Sequence, residues 1–258
     1  MHTQPPRLCA IHQPNLLPRL STLAKLYAAD IWVVLDDVQF ARRDYQHRAR
    51  LAALDDPQRQ RWLSVETRLP DGRSTLVRDA LLADPRRAAR RLSYLPAQHY
   101  RTSRHWQLLH AVLEPVVDTV SEAVGTAAVA EATTRALLKL LGWRGTIVRS
   151  SDLAASSDRS LRLADLTTAV GADTYLCGTG GWRYLDRRPF VERQLTVHAF
   201  RPPAVVGDLW TEATTISALW ALAAYGPSAV GAAFDGLRTA VGTSREGPPP
   251  GRGAGPPA

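Results

Sequence analysis

Groups that can accept protons or bind charged ligands follow directly after short apolar segments of this chain. The first is His12, and an unperturbed histidine pKa of about 6.5 allows the imidazole to accept a proton from an amine or a hydroxyl near neutral pH. The amide side chains of Gln13 and Asn15 come next and can hydrogen-bond a ligand. We expect His12 to be a general base in a catalytic site, and Gln13 and Asn15 to contact the substrate.

Two adjacent carboxylates follow the second apolar segment, residues 31–35. Successive side chains of an extended chain point to opposite sides, so only one of Asp36 and Asp37 is expected to face a pocket. That carboxylate could orient His12, bind a substrate ammonium or hold Mg²⁺. Asp36 and Asp37 are therefore both candidates for one catalytic role, and we predict substrate contact for Gln39, which lies on the same side as Asp37.

A glycine-rich stretch follows a third apolar segment. It consists of Gly178, Thr179, Gly180 and Gly181. Because glycine has no β-carbon, its backbone N–H groups can approach a phosphate, a carboxylate or an oxyanion. No Gly-Lys-Ser/Thr follows, so the stretch is not a Walker phosphate loop. We predict an anion-binding turn, with Tyr184 as a further substrate contact.

Arginine and serine side chains near these segments are further candidates. Arg43 and Arg48 lie in a polar arm, residues 42–50, where either could reach a substrate anion or face solvent. Ser150 and Ser151 follow a predicted strand and could donate hydroxyl hydrogen bonds. The Gly-x-Ser-x-Gly elbow is missing, so the spacing predicts no catalytic triad.

One lysine falls on the predicted first helix, which begins near Arg19. Leu20, Leu23 and Tyr27 share one face of this helix at spacings of three and four. Lys25 lies roughly 200° around the helix from Leu23. Its amine can therefore point at solvent or along the loop, where it would bind substrate.

The elements that must position these groups alternate between helix and strand. The predicted strands are 8–11, 31–35, 61–65, 146–148, 174–177 and 195–200, and the predicted helices include 127–141, 160–170 and 216–225. A repeated helix, strand and polar loop is typical of a parallel sheet, whose ligands bind beyond the carboxyl ends of the strands. We predict an α/β fold, mainly a parallel sheet with helices on both faces. It would be Rossmann-like or, in its first strand, loop and helix, similar to nucleotidyltransferases of the HIGH-motif class, although the His-x-Gly-His spacing is absent.

A single α/β domain is predicted over residues 1–241, with a helical insertion at about 75–141. Arginines on one side of that insertion are followed by Tyr94 and could bind RNA or a carrier protein, or form a solvated helix face. They are Arg86, Arg87, Arg90 and Arg91. The Gly/Pro-rich residues 242–258 are expected to be a disordered tail.

The composition limits the class of protein. The net charge is +8 and the sequence pI is about 10.1. Lys25 and Lys139 are the only lysines, so almost all of the positive charge is carried by arginine. Codon usage in a GC-rich genome explains this bias toward arginine as readily as phosphate binding does. No apolar run approaches the roughly 20 residues that cross a bilayer, so we expect a cytoplasmic protein with no membrane insertion. The two cysteines, Cys9 and Cys177, are too few for a disulfide framework or a zinc site and are expected to be small buried residues.

Five blocks of the sequence resemble the signature blocks of the WbqC-like family, in the expected order over roughly residues 8–200. They are 12–18 (HQPNLLP), Lys25, 36–40 (DDVQF), 149–153 (RSSDL) and 171–181 (GADTYLCGTGG). Members of this family occur in O-antigen and other sugar or natural-product gene clusters, and a glycine (aminoacyl) transferase role has been suggested. Residues 202–207 match poorly a His-Pro-x-Tyr-Pro-Gln-like stretch of the family, which predicts a different substrate or activity if that stretch contributes to the site in relatives.

Three functions are consistent with these observations. The resemblance implies an acyl- or aminoacyl-type transferase, or a related bond-forming enzyme, for an amino sugar or natural-product intermediate, with a substrate carried on tRNA or a carrier protein as one alternative. The first strand, loop and helix favour an adenylate-forming or nucleotidyltransferase enzyme. The arginine-rich helix favours a non-catalytic protein that binds RNA or a carrier protein. The cofactor and the oligomeric state stay open.

Overall fold

The computed structural model describes residues 6–120, 125–203 and 208–243. Its strands are β1 (Leu8–His12), β2 (Ile31–Val34), β3 (Arg48–Ala52), β4 (Gln60–Ser64), β5 (Thr67–Arg68), β6 (Leu81–Leu82), β7 (Thr146–Arg149), β8 (Thr174–Gly178) and β9 (Thr196–Phe200). Its helices are α1 (Leu20–Ala28), α2 (Pro85–Tyr100), α3 (Trp106–Val120), α4 (Thr126–Leu140), α5 (Arg159–Ala169), α6 (Thr179–Trp182), α7 (Arg188–Glu192), α8 (Ala218–Tyr225) and α9 (Pro227–Thr243).

The central sheet has five parallel strands in the order β7-β2-β1-β8-β9. β1 and β2 are almost entirely buried, as expected for strands of a parallel sheet that is covered on both faces. From β1 the chain moves outward to β2 and β7 and then returns to the other side of β1 as β8. The strand order therefore reverses between β1 and β8, which is where an open α/β sheet forms its ligand-binding crevice.

Alternate side chains of the strands enter two separate hydrophobic cores. Ala10, Trp32 and Val34 pack with residues of α1, α4, α8 and α9 on one face. Cys9 and Val33 pack with residues of α5 and α7 on the other face. The predicted α/β fold, with a parallel sheet and helices on both faces, is confirmed. As expected, both cysteines are buried.

The predicted third strand, 61–65, does not join the parallel sheet. It forms β4 of an antiparallel hairpin whose other strand, β3, begins within the predicted polar arm, residues 42–50. The guanidinium carbons of Arg48 and Arg50 lie 4.3 and 4.5 Å from the ring centroid of Trp62. These cation–π contacts allow a strand rich in arginine to pack instead of extending into solvent.

The predicted helical insertion begins later than residue 75, because β6 and a 3₁₀ turn at Val77–Asp79 precede α2. Its last helix, α4, packs on the sheet layer, and the amide of Leu17 donates to the Thr133 hydroxyl over 3.0 Å. α9 continues to Thr243, and residues 244–258 of the predicted tail lie outside the described residues. None of the helices in the described ranges is long and apolar enough to cross a membrane.

Candidate functional site

A cavity of about 270 Å³ lies at the carboxyl ends of β1 and β8, where the strand order reverses. It brings together the predicted general base, the predicted lysine and the glycine-rich stretch, although these segments are far apart in sequence. Its lining residues are Ile11, His12, Arg19, Ser21, Thr22, Lys25, Tyr175, Gly178, Thr179, Gly180, Gly181, Phe200, Pro202 and Thr214. The site is therefore built by the end of β1, by Arg19 and the first part of α1, and by the end of β8 with the segment that follows it.

His12 ends β1 and is half-buried. Its Nδ1 lies 2.7 Å from the carbonyl oxygen of Gln13. A carbonyl only accepts hydrogen bonds, so this contact assigns the proton to Nδ1 and leaves Nε2 as the free acceptor. Burial, followed by the positive charges of Lys25 and Arg19, holds the pKa of His12 well below 6.5. The imidazole is therefore neutral at pH 7, as a general base must be, and Nδ1 is bound by a carbonyl and not by the predicted carboxylate.

Gln13 and Asn15 do not line this cavity in the described part of the chain. The Gln13 side-chain oxygen accepts from Gln46 Nε2 over 2.6 Å. Asn15 is buried, its carbonyl accepts from the Thr134 hydroxyl over 2.9 Å, and its side-chain oxygen has no partner among the described residues. These contacts hold the loop that follows His12 in place. Gln13 and Asn15 therefore position this loop and do not contact the cavity.

Lys25 does not point at solvent. Every residue of α1 except Ser21 is buried, because the helix packs between the sheet and three other helices. The Nζ of Lys25 donates to the carbonyl of Ile11 over 3.4 Å, and burial lowers its pKa to about 8. The helical pattern missed this placement because it assigns a helix a single buried face, whereas α1 is enclosed almost all round.

Arg19 is a site residue that the sequence analysis did not identify. Its guanidinium lies 4.2 Å from the ring centroid of Tyr45, and its Nη1 donates to the carbonyl of Thr214 over 3.1 Å. Its Nε is buried and has no partner among the described residues. The available sequence signal was its position at the end of the loop after β1.

The glycine-rich stretch forms the single helical turn α6 and not the predicted loop. Gly178, at the end of β8, precedes this turn, and all four predicted residues line the cavity. Tyr184 does not line it; its side chain is 68% exposed and carries the Arg159 guanidinium 5.5 Å from its ring centroid.

The two predicted carboxylates and the two predicted serines form a separate cluster at the ends of β2 and β7. Asp36 is buried and accepts from the Ser150 hydroxyl at 3.1 Å, and from the amide and hydroxyl of Ser151 at 3.0 and 2.9 Å. Asp37 accepts from the same Ser150 hydroxyl and from Arg162. Both carboxylates thus converge on one hydroxyl, where only one was expected to point inward. This cluster lies beside the cavity of His12 and does not line it.

The other predicted contacts lie away from the cavity. Gln39 and Arg43 are exposed. The Gln39 side chain donates to the carbonyl of Arg73, and the Arg48 guanidinium donates to the carbonyls of Asp44 and Arg43. These contacts fix the loop after β2. Within the described ranges, no group of three or more histidine, cysteine or acidic side chains could hold a metal ion.

Comparison with known proteins gives one family and one relative of this chain. The model of the WbqC-like protein family matches residues 13–206, a range that contains Lys25 and the glycine-rich stretch. The uncharacterized protein Rv1507c of Mycobacterium tuberculosis is 23% identical over 196 residues, which cover 74% of this chain and 80% of the relative. No solved structure gives a significant match.

Proposed function

The chain belongs to the WbqC-like protein family, and we propose that it is an acyl- or aminoacyl-type transferase, of the glycine type, for a small amino sugar or natural-product intermediate. The family membership suggests an enzyme. The observation that supports this reaction best is a neutral His12 at a cavity whose charged lining residues, in the described part of the chain, are the cations Arg19 and Lys25.

The proposed reaction uses His12 first as a base and then as an acid. His12 Nε2 takes a proton from the acceptor amine or hydroxyl, whose nitrogen or oxygen forms a bond to the acyl carbon of the donor. The electron pair of the donor carbonyl moves to its oxygen and then returns, and the bond to the leaving group breaks. The leaving group takes the proton from His12, which restores the neutral imidazole.

The cations contribute electrostatically. Arg19 and Lys25 stabilise negative charge that develops on the carbonyl oxygen or is carried by the leaving group, in a site that is partly shielded from water. Burial is the main cause of the lowered pKa that keeps His12 neutral, and the same two charges add to it. Asp36 and Asp37 act indirectly in this proposal, by holding Ser150 and thereby the ends of β2 and β7.

The test is a transfer assay read by mass spectrometry. The purified protein is incubated with amino sugars or their phosphates as acceptors and with glycyl-tRNA or a glycyl thioester of pantetheine as donors. We expect an aminoacylated acceptor with the wild type and with Lys139→Met, a variant on α4 outside the cavity, and formation of this product about 10²- to 10⁴-fold more slowly with His12→Gln. Equal product from His12→Gln would contradict the proposed mechanism.

The arrangement of β1, α1 and β2 supports an adenylate-forming reaction as a second candidate. These elements form a parallel βαβ unit beside the point where the strand order reverses, a position at which nucleotides bind in other α/β proteins. A second set of reactions therefore contains free glycine, ATP and Mg²⁺. Product that requires ATP, with release of pyrophosphate, would favour this candidate over transfer from a preactivated donor.

A further inference from the structure

The cavity contains two positive side chains and no acidic lining residue in the described part of the chain. Among the described residues, the Lys25 ammonium donates to the carbonyl of Ile11 alone, at the long distance of 3.4 Å. The Arg19 guanidinium uses Nη1 on a carbonyl, while its buried Nε has no partner among the described residues. The Lys25 ammonium thus has hydrogens left for a ligand, and Arg19 adds a second positive charge at the cavity.

A buried ammonium without a neighbouring anion is unfavourable, because it has lost water and gained no opposite charge. The structure shows this effect in the lowered pKa of Lys25, whose main cause is burial. At a pKa of about 8 the amine still carries its proton at pH 7 in most molecules. An anion bound in the cavity would offset the free-energy cost of burying the Lys25 ammonium. The site is therefore suited to an anionic ligand.

Two positive charges and several hydroxyl groups match a phosphate monoester better than a carboxylate. The monoester carries about −1.5 to −2 charges at pH 7 and three acceptor oxygens, whereas a carboxylate carries one charge on two oxygens. Ser21, Thr22 and Thr179, which carry hydroxyl groups, also line the cavity. Residues of both α1 and α6 therefore border the space in which the phosphate would lie.

We infer that Arg19 and Lys25 form a subsite for a terminal phosphate group, and that the substrate of this enzyme is a small phosphorylated molecule. The inference rests on the proposed function in taking this cavity as the reaction site. A volume of about 270 Å³ lies below the roughly 300–1,000 Å³ of common ligand pockets, so the cavity holds the phosphorylated end of a substrate and not a whole nucleotide. The phosphate could belong to the acceptor, as in a sugar phosphate, or to the donor, as in a nucleotide ester.

Isothermal titration calorimetry at pH 7 tests the subsite with inorganic phosphate, glucosamine 6-phosphate, AMP and acetate as probes. We expect phosphate to bind the wild type and the matched control Lys139→Met, and to bind Lys25→Met and Arg19→Met at least about tenfold more weakly. Arg19→Lys keeps the charge and should retain most of the affinity, which separates loss of charge from loss of folding. Tighter binding of glucosamine 6-phosphate than of AMP would assign the phosphate to the acceptor, and the reverse order would assign it to the donor.

Three results would overturn the subsite: acetate binding as tightly as phosphate, undiminished phosphate binding by Lys25→Met, or no phosphate binding by the wild type. His12→Gln separates this inference from the proposed function, since it should bind phosphate normally while losing transfer. Absence of phosphate binding together with His12-dependent transfer would leave the function standing and remove the subsite. Phosphate binding without transfer from any donor would keep the subsite and remove the proposed function.

Discussion

The side-chain nitrogen of Lys25 lies against the backbone of Gly178, such that a β-carbon added to Gly178 would come 3.6 Å from Nζ. The contact joins α1 to the end of β8 across the point where the strand order reverses. The backbone angles of Gly178, φ −71° and ψ 161°, are ones that any residue can adopt. An alanine methyl group at this position would therefore contact the ammonium without straining the chain.

Gly178→Ala is predicted to fold normally but to bind phosphate more weakly. The new methyl group makes only ordinary van der Waals contact, so the free energy of unfolding should change by less than about 1 kcal/mol. The methyl shields Nζ from the cavity, and the dissociation constant for phosphate should rise about tenfold. Gly236→Ala on α9, where an added β-carbon meets nothing within 4 Å, is the matched control and should bind as the wild type does. Unchanged affinity in Gly178→Ala would place the anion elsewhere.

Lys25→Met is predicted to stabilise the protein at pH 7. The pKa of Lys25 falls from 10.5 to about 8 on folding, so its burial opposes folding by up to about 3 kcal/mol below pH 8. Between pH 8 and 10.5 Lys25 is protonated in the unfolded chain but not in the folded protein, so the free energy of unfolding of the wild type rises with pH over this range. The difference in this free energy between Lys25→Met and the wild type should therefore become smaller. Urea unfolding measures the free energy of unfolding of wild type and variant at pH 7 and pH 10. Lys139→Met is the control and should leave this free energy unchanged at both pH values.

Destabilisation of Lys25→Met by the same amount at both pH values would contradict this account. It would show that the aliphatic part of the side chain, and not its charge, determines the effect. The prediction is a form of stability–activity trade-off, in which a binding residue is retained although its removal stabilises the fold.

Arg162→Met is predicted to destabilise the protein in a pH-dependent manner. Burial alone would raise the pKa of Asp37. Hydrogen bonds from Ser150 and Arg162 outweigh this effect and lower the pKa of the carboxyl below 3.8. The pair stabilises the fold above that pH, and the contribution is lost as Asp37 is protonated. The free energy of unfolding should fall by about 1–3 kcal/mol at pH 7, and by less near pH 3.

Circular dichroism in urea at the two pH values measures this difference. Arg188→Met removes an arginine from the exposed ion pair with Asp186 and should leave the stability unchanged. A large loss of transfer activity in Arg162→Met without any loss of stability would instead support a direct catalytic role for Asp37.

The rate of transfer should not fall as the pH decreases from 8 to 6. The depressed pKa of His12 keeps the imidazole in its basic form through this range, so loss of activity is expected only at lower pH. His12→Gln should lower kcat about 10²- to 10⁴-fold at every pH in the range. A midpoint near pH 6.5 in the wild-type profile would show that the imidazole is not shielded as the structure indicates.

The strands and their polar ends could be predicted from the sequence because fully buried strands are nearly continuous apolar runs. β1 and β8 fall within one residue of their predicted ends, and His12, Gly178 and the glycine-rich stretch after β8 line the cavity. The hairpin of β3 and β4 was missed because its arginines read as a solvated arm. Their stacking on Trp62 depends on a cross-strand pair that a local pattern does not reveal.

The division of the candidate site into two clusters could not be predicted either. The sequence places Asp36 and His12 each at a strand end, but it does not show on which side of β1 each neighbouring strand lies. The order β7-β2-β1-β8 pairs the carboxylates with Ser150 on one side and His12 with the glycine-rich stretch on the other. Residues 204–207 of the divergent 202–207 stretch lie outside the described residues, so its predicted effect on the substrate stays a prediction.

A crystal structure with bound glucosamine 6-phosphate would show whether Arg19 and Lys25 hold the phosphate group. We expect the phosphate oxygens to lie within hydrogen-bonding distance of Lys25 Nζ and the Arg19 guanidinium, with the sugar amine facing His12 Nε2. A ligand bound along the arginines of α2 beside Tyr94, with the cavity between β1 and β8 free of it, would contradict the account.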